Sequence, residues 1–153
     1  MDVYDTDTDV EDLSLSGLTI GVWGLGKMGL PLAAVLAKHG ATVYGVDIDP
    51  GIVERINAGD SPIDNEPRVP ELIAEHGGNR LWATTDGVEA ASKTDVAIVL
   101  VPTVLDENHE PILEPVVESA NDIAEGLDTG NLVILESTAP PGTTAGTFRK
   151  TLE

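Results

Sequence analysis

The strongest constraint on the fold is a regular alternation of short apolar runs with amphipathic segments. Strand-like runs occupy 18–24, 41–47, 80–85, 95–102 and 131–137. Helical spacing and helix-cap residues mark 27–40, 50–59, 69–76, 86–93, 110–126 and a last segment starting at 143. Because nearly continuous apolar strands need cover on both faces, this order predicts a parallel sheet between helix layers. Right-handed crossovers make a doubly wound, three-layer α/β/α fold the expected topology.

Length and composition limit the chain to few classes. With 153 residues, 41% of them hydrophobic, it forms one domain, and with 3% aromatics its core must consist mainly of Val, Ile, Leu and Ala. The absence of cysteine excludes disulfides, thiolate metal sites and a cysteine nucleophile within this chain. No apolar run is long enough to span a bilayer, and the first residues do not resemble a signal peptide. We therefore expect a cytoplasmic protein.

The charge balance excludes some partners. Asp and Glu number 27 against 8 Lys and Arg, for a net charge of −19. Such a surface repels nucleic acid and anionic membranes. Salt screens repulsion between carboxylates, which favours a protein of a salt-rich cytoplasm; an acidic tail or a cationic partner are alternatives. Residues 1–16 hold six of the acids and predict a flexible acidic leader before a domain at 17–153.

The glycines of the run GLGKMG have the spacing G-x-G-x-x-G, at Gly24, Gly26 and Gly29. The run follows a predicted strand and opens a predicted helix, as in Rossmann-type dinucleotide sites. Gly24 permits a tight turn, Gly26 lets a pyrophosphate approach the backbone, and Gly29 lets the helix pack closely on its strand. Free N–H groups at the helix start attract the phosphates. The alternative is a tight turn without a ligand.

Asp47 ends the second predicted strand, close to the spacing expected for an acid that binds the adenosine ribose. A carboxylate accepts hydrogen bonds from the ribose hydroxyls and repels a 2′-phosphate. The residues that follow, 48–50, include no cation for such a phosphate, so the pattern favours NAD over NADP. The alternative is a solvated turn residue.

Polar residues also follow the fourth and fifth strands, where ligands of open α/β sheets bind. Thr103 follows Pro102 after the fourth strand, and Glu136, Ser137 and Thr138 follow the fifth. Their side chains either face the nicotinamide end of the site or only satisfy turn backbone. The three histidines have no metal-ligand spacing, so no metal is expected.

The runs GLGKMGLPLA, VDIDPGIVERINAGDSPI, VPT and ESTAPPGTT together resemble the amino-terminal domain of nucleotide-sugar 6-dehydrogenases over about residues 18–153. This family includes UDP-glucose, GDP-mannose and UDP-N-acetylhexosamine dehydrogenases, and the loop 101–113 is most similar to the UDP-N-acetylmannosamine and UDP-N-acetylglucosamine branch. The resemblance implies cofactor contacts from the glycine loop, the ribose acid and the later strand ends. These residues are Gly24, Leu25, Gly26, Lys27, Met28, Gly29, Asp47, Pro102, Thr103 and Thr138.

The resemblance also implies a reaction. Family members oxidise a sugar C6 alcohol to a carboxylate in two NAD-dependent steps, the second through a cysteine thiohemiacetal, and Thr138 would help to place a catalytic water. It implies a UDP-sugar substrate and a homodimer for the full-length enzyme. Ile52 replaces a basic residue common in the family, and Arg55 is a candidate substitute.

The chain lacks that cysteine and the later domains, so we expect a truncated sheet and no complete oxidation by this chain alone. The alternatives are a β-hydroxyacid dehydrogenase domain, which has a similar glycine loop and Ser-Thr step, and a non-enzymatic nucleotide sensor.

Overall fold

A computed structural model describes residues 14–153 and contains five parallel strands in the order β3-β2-β1-β4-β5. The strands are β1 Thr19–Trp23, β2 Thr42–Val46, β3 Leu81–Thr84, β4 Val96–Val99 and β5 Leu132–Leu135. The helices are α1 Gly29–Lys38, α2 Pro50–Asn57, α3 Val69–His76, α4 Gly87–Ala91, α5 Glu114–Gly126 and α6 Arg149–Leu152. The predicted doubly wound, three-layer fold is confirmed.

Two apolar clusters, one on each sheet face, join the layers. Ile20 and Val22 of β1 face the cluster that includes α1, α2 and α3. Trp23, next along the same strand, belongs to the opposite cluster with α4 and α5. This alternation follows from the two-residue period of a strand. The connection from β3 to β4 therefore crosses to the other face of the sheet. After the adjacent strands β1 and β4, the chain continues toward opposite edges of the sheet.

Several element boundaries differ from the sequence expectation. The first helix begins at Gly29 rather than 27, because residues 26–28 form the turn that leads into it. The fifth begins at Glu114 rather than 110, since Pro111 pairs with Leu105 in an isolated antiparallel bridge. At the end of the chain, a π-helical turn, Thr144–Phe148, precedes α6 and buries Phe148 against the α5 side of the sheet.

The leader predicted over 1–16 lies mostly outside the described residues, which begin at Ser14. Within its last three residues, the Leu15 N–H donates to the His39 carbonyl at 2.8 Å, and the Leu15 side chain packs against the α1 side of the core. Leu15 is therefore attached to the domain.

Strand β5 forms one edge of the sheet and consists of four apolar residues, none of them fully buried. Leu132, 55% exposed, is the most accessible. Unpaired apolar edges template pairing with other chains. We expect concentration-dependent self-association in sedimentation velocity, strongest in high salt, where repulsion between acidic chains is screened. Leu132→Lys should weaken it, because an edge lysine opposes strand pairing. A wild-type monomer at all concentrations would contradict this expectation.

Candidate functional site: a crevice at the switch point of the sheet

A crevice of about 540 Å³ opens at the carboxyl ends of the strands, where the chain diverges from β1 and β4. It is lined by the glycine turn, the ends of β2 and β4, the turn after β3 and one face of α5. The lining residues are Trp23, Gly24, Gly26, Lys27, Met28, Val46, Asp47, Ile48, Thr85, Leu100, Val101, Pro102, Pro115, Glu118, Ser119 and Asp122. Open α/β sheets bind ligands at this place.

Gly24 directly follows β1 and has a conformation that favours glycine, with φ of +94°. A Cβ atom there would lie 2.7 Å from the Leu100 carbonyl oxygen. Only a residue without a side chain therefore allows the turn to lie so close to the end of β4. The Gly24 N–H donates to the Val46 carbonyl at 2.8 Å, which attaches the turn to β2. The sharp turn expected of Gly24 is therefore present.

The other two glycines differ in their surroundings. A Cβ atom on Gly29 would lie 1.8 Å from the Gly24 carbonyl oxygen, so helix α1 contacts the turn backbone directly. A Cβ atom on Gly26 would meet nothing within 4 Å, so this glycine faces open space in the crevice. The close helix packing assigned to Gly29 is present, and Gly26 leaves the room that a pyrophosphate needs.

Helix α1 presents unpaired donors toward this space. Within the described part of the chain, the backbone N–H groups of residues 26–29 have no acceptor, whereas the Leu30 N–H donates to the Gly26 carbonyl at 3.1 Å. Free N–H groups and the positive end of the helix dipole favour an anion. Of the lining residues in the described range 14–153, Lys27 adds the one cationic side chain. The crevice can therefore hold a diphosphate despite the acidic surface.

Asp47 joins the glycine turn to the end of β2. Its Oδ2 atom accepts a hydrogen bond from the Leu25 N–H at 2.9 Å, and its Oδ1 atom accepts one from the Asp49 N–H at 3.0 Å. The Leu25 side chain is buried beside Gly45. Leu25 therefore contributes backbone structure rather than lining. The half-buried carboxylate borders the crevice and retains free lone pairs for ribose hydroxyls.

At the other end, Pro102 lines the crevice, whereas Thr103 and Thr138 do not. These two residues lie together, since the Thr103 hydroxyl donates to the Thr138 carbonyl. The Ser137 hydroxyl donates to the Val101 carbonyl at 2.8 Å and so satisfies turn backbone. Glu136 is exposed. The carboxyl ends of β4 and β5 are thus held together by hydroxyl-to-backbone hydrogen bonds.

Sequence reasoning missed the wall formed by α5. Pro115, Glu118, Ser119 and Asp122 lie on one helix face at spacings of three and four residues, and all four line the crevice. Polar residues on a helix face that borders the apolar core were the available signal. The pKa of Asp122 is raised, first by burial and then by the negative charges of Asp86, Glu118 and Glu125.

Arg55, the candidate replacement for the missing basic residue at Ile52, is used elsewhere. Its guanidinium donates to the Asp60 carboxylate and to the Ser61 carbonyl, and it is absent from the crevice lining. The expectation that Arg55 contacts adenosine is therefore not supported by its position. Between residues 14 and 153 we find no group of three metal-ligand side chains and no helix long and apolar enough to cross a membrane.

Sequence comparison agrees with the dinucleotide-site geometry of the crevice. The profile of the UDP-glucose/GDP-mannose dehydrogenase family, NAD binding domain, matches residues 18–153. The chain belongs to this family. NAD is accordingly the cofactor of this domain, as the Asp47 pattern predicted.

Individual relatives support the same assignment. The UDP-N-acetyl-D-mannosamine dehydrogenase of Escherichia coli K12 is 43% identical over 132 residues, which cover 85% of this chain and 30% of that protein. The structure of UDP-D-ManNAc dehydrogenase from Pyrococcus horikoshii has a TM-score of 0.81 at 36% identity, covering 89% of this chain and 32% of that one. The chain thus spans about 30% of the length of the curated relatives it matches.

The β-hydroxyacid dehydrogenase alternative is less well supported. The 3-hydroxyisobutyrate dehydrogenase of Mycobacterium tuberculosis has a TM-score of 0.55 at 26% identity, covering 79% of this chain and 32% of that one. It shares the general fold with this family domain but matches it less closely than the nucleotide-sugar enzyme does. The family assignment therefore replaces this alternative.

Proposed function

We propose that the chain is the cofactor-binding part of an enzyme that oxidises the C6 alcohol of a UDP-sugar to a carboxylate. The candidate substrates are a UDP-N-acetylhexosamine and UDP-glucose. The main support is the crevice, in which the free N–H groups of residues 26–28 and the Asp47 carboxylate border one space. The names of the relatives favour the UDP-N-acetylmannosamine branch.

In this proposal each part of the crevice has a role. The glycine turn and Lys27 bind the pyrophosphate, while Asp47 binds the adenosine ribose and at the same time holds the Leu25 N–H. Pro102 lines the crevice and would border the nicotinamide end of NAD, which would supply the hydride-accepting chemistry. Thr103 and Thr138 fix the ends of β4 and β5, and Thr138 helps to place a catalytic water.

The second oxidation step requires a nucleophile that this chain lacks, because it contains no cysteine. We propose that a further domain supplies a cysteine and binds the UDP-sugar, and that the complete enzyme is a homodimer. Reading the coding sequence beyond Glu153 tests this part, and a cysteine-bearing second domain is the expected result. We place the enzyme in the salt-rich cytoplasm of a halophile-like cell, where it supplies uronic acids for polysaccharide biosynthesis.

The role of Asp47 is tested by calorimetry with NAD and NADP. Asp47→Ala should weaken NAD binding by about 1–3 kcal/mol, because charge-assisted hydrogen bonds to the ribose are lost. Asp47→Asn is the matched control, since its amide oxygen can still accept from the Leu25 N–H but carries no charge. We expect this variant to keep the fold and to lose much of the preference for NAD. Equal wild-type affinity for the two dinucleotides would contradict the proposed role.

A further inference from the structure

Asp122 occupies a restricted place beside the start of α4. A Cβ atom on Gly87 would lie 2.2 Å from the Asp122 Oδ2 atom, so the carboxylate lies directly against the first residue of that helix. Helix α4 follows β3, and β3 pairs with β2, the strand that ends before Asp47. Asp122 therefore lies on the adenosine side of the crevice, on the opposite wall from the ribose acid.

The Asp122 carboxylate has no hydrogen-bond donor among residues 14–153. Its charged neighbours are Asp86, Glu118 and Glu125, all negative, and together with burial they raise its pKa. Asp86 differs because its Oδ1 atom accepts the Glu89 N–H as the cap of α4. Asp122 thus presents unpaired acceptor atoms to the crevice. A neutral donor is a favourable partner for them, because it pairs with the carboxylate without adding negative charge.

A second unpaired group lies in the same lining. Trp23 is 2% exposed, and its buried indole Nε1–H has no acceptor in the described part of the chain. The benzene edge of the indole lies over Gly21, so Nε1 is at the opposite end of the ring system. Buried donors without partners are rare in native proteins. This N–H and the Asp122 carboxylate leave unmet hydrogen-bonding capacity among the lining residues, and the accessible part, at Asp122, is the one that a polar ligand can complete.

Adenine fits the chemistry on this side. The inference rests on the proposed placement of the dinucleotide, with its pyrophosphate at the glycine turn and its ribose at Asp47. The base then extends away from the pyrophosphate, toward Thr85 and Asp122, and Ile48, which is 94% exposed, provides an apolar surface for one ring face. The exocyclic amine of adenine is a neutral donor. We propose that Asp122 accepts a hydrogen bond from this amine and makes the site selective for adenine.

The test compares NAD with nicotinamide hypoxanthine dinucleotide, in which an oxygen replaces the amine. Both carry the same charge, so the ratio of their affinities cancels general repulsion by the acidic crevice. By calorimetry in high KCl, the wild-type chain should prefer NAD by about tenfold or more, as expected for a hydrogen bond to a charged group. Asp122→Ala should bring the ratio close to one. Asp122→Asn should also reduce it, because an amide can donate to the hypoxanthine oxygen.

Glu125→Gln is the matched control, since it removes one charge from the same helix at an exposed position outside the crevice lining. This variant should keep the wild-type ratio. Equal wild-type affinity for the two dinucleotides, or an unchanged ratio in Asp122→Ala, would overturn the role of Asp122 while leaving the site itself intact. Failure of the wild-type chain to bind either dinucleotide would instead contradict the proposed placement of the cofactor.

Discussion

Replacing Gly29 by alanine is expected to destabilise the domain by about 3 kcal/mol or more and to abolish NAD binding. The added Cβ would lie 1.8 Å from the Gly24 carbonyl oxygen. That atom belongs to the backbone of a turn held by the Gly24 N–H bond to Val46, so it cannot rotate away as a flexible side chain would. Helix α1 must move from the turn, and its free N–H groups move with it. Chemical denaturation and calorimetry measure the two effects.

Gly26→Ala is the matched control, because it adds the same methyl group three residues earlier in the chain. A Cβ atom there meets no protein atom within 4 Å, and Gly26 is not among the residues with positive φ. We expect stability within about 1 kcal/mol of wild type, since surface substitutions without a structural conflict have small effects. NAD affinity should nevertheless fall, because the methyl group occupies the space of the pyrophosphate. Loss of stability in Gly26→Ala, or wild-type stability in Gly29→Ala, would contradict this separation of roles.

Raising the KCl concentration from about 0.1 M to about 1 M is expected to stabilise the domain and to strengthen NAD binding, as the Debye length falls from roughly 10 Å to roughly 3 Å. The chain has a net charge of −19, and a large net charge destabilises the compact state by self-repulsion. The acids Asp47, Glu118 and Asp122 border the crevice and repel the anionic cofactor. Screening reduces both repulsions. A rise in Tm of about 5 °C or more is the expected size, equivalent to about 1–2 kcal/mol.

The charge origin of this effect is tested with a variant that removes carboxylates from the surface. Glu54→Gln, Glu125→Gln and Asp128→Asn combined neutralise three exposed acids outside the crevice lining. The dependence of Tm on KCl should become shallower in this variant, because less repulsion remains to be screened. The same slope as wild type would show that salt acts through apolar burial instead. Wild-type NAD affinity that falls with salt would contradict the role of the acidic crevice.

Much of the fold could be predicted from the sequence, because the local patterns that indicate strands and helix starts agree with the elements of the folded sheet. All five strands lie within the predicted runs, and α2 and α4 are capped by the side chains of Asp49 and Asp86. Boundaries were less accurate where tertiary contacts decide them. Helix α5 begins only after the Leu105–Pro111 bridge. The residues between these two are all polar, so the sequence did not indicate where the helix starts.

The candidate site divides in the same way. Gly24, Gly26, Gly29 and Asp47 were predictable, because their spacing is set by one strand, one turn and the next strand. The α5 wall was not, because Asp122 lies far along the chain from Asp47 and only tertiary packing, which sets it against Gly87, brings it to the same crevice. The roles of Thr103 and Thr138 were also open, and their pairing through a hydroxyl and a carbonyl depends on the neighbouring positions of β4 and β5.

The sequence alone determined the family, the parallel sheet and the position of the glycine turn. These features follow from local backbone geometry, which requires particular residue types, such as glycine in the turn, at fixed and short spacings. Only the tertiary structure decided which side chains border the crevice, that Arg55 is bound to Asp60, and that Asp122 has no donor within residues 14–153. Each of these depends on contacts between segments distant in the chain, and no local pattern of residues encodes the distance between them.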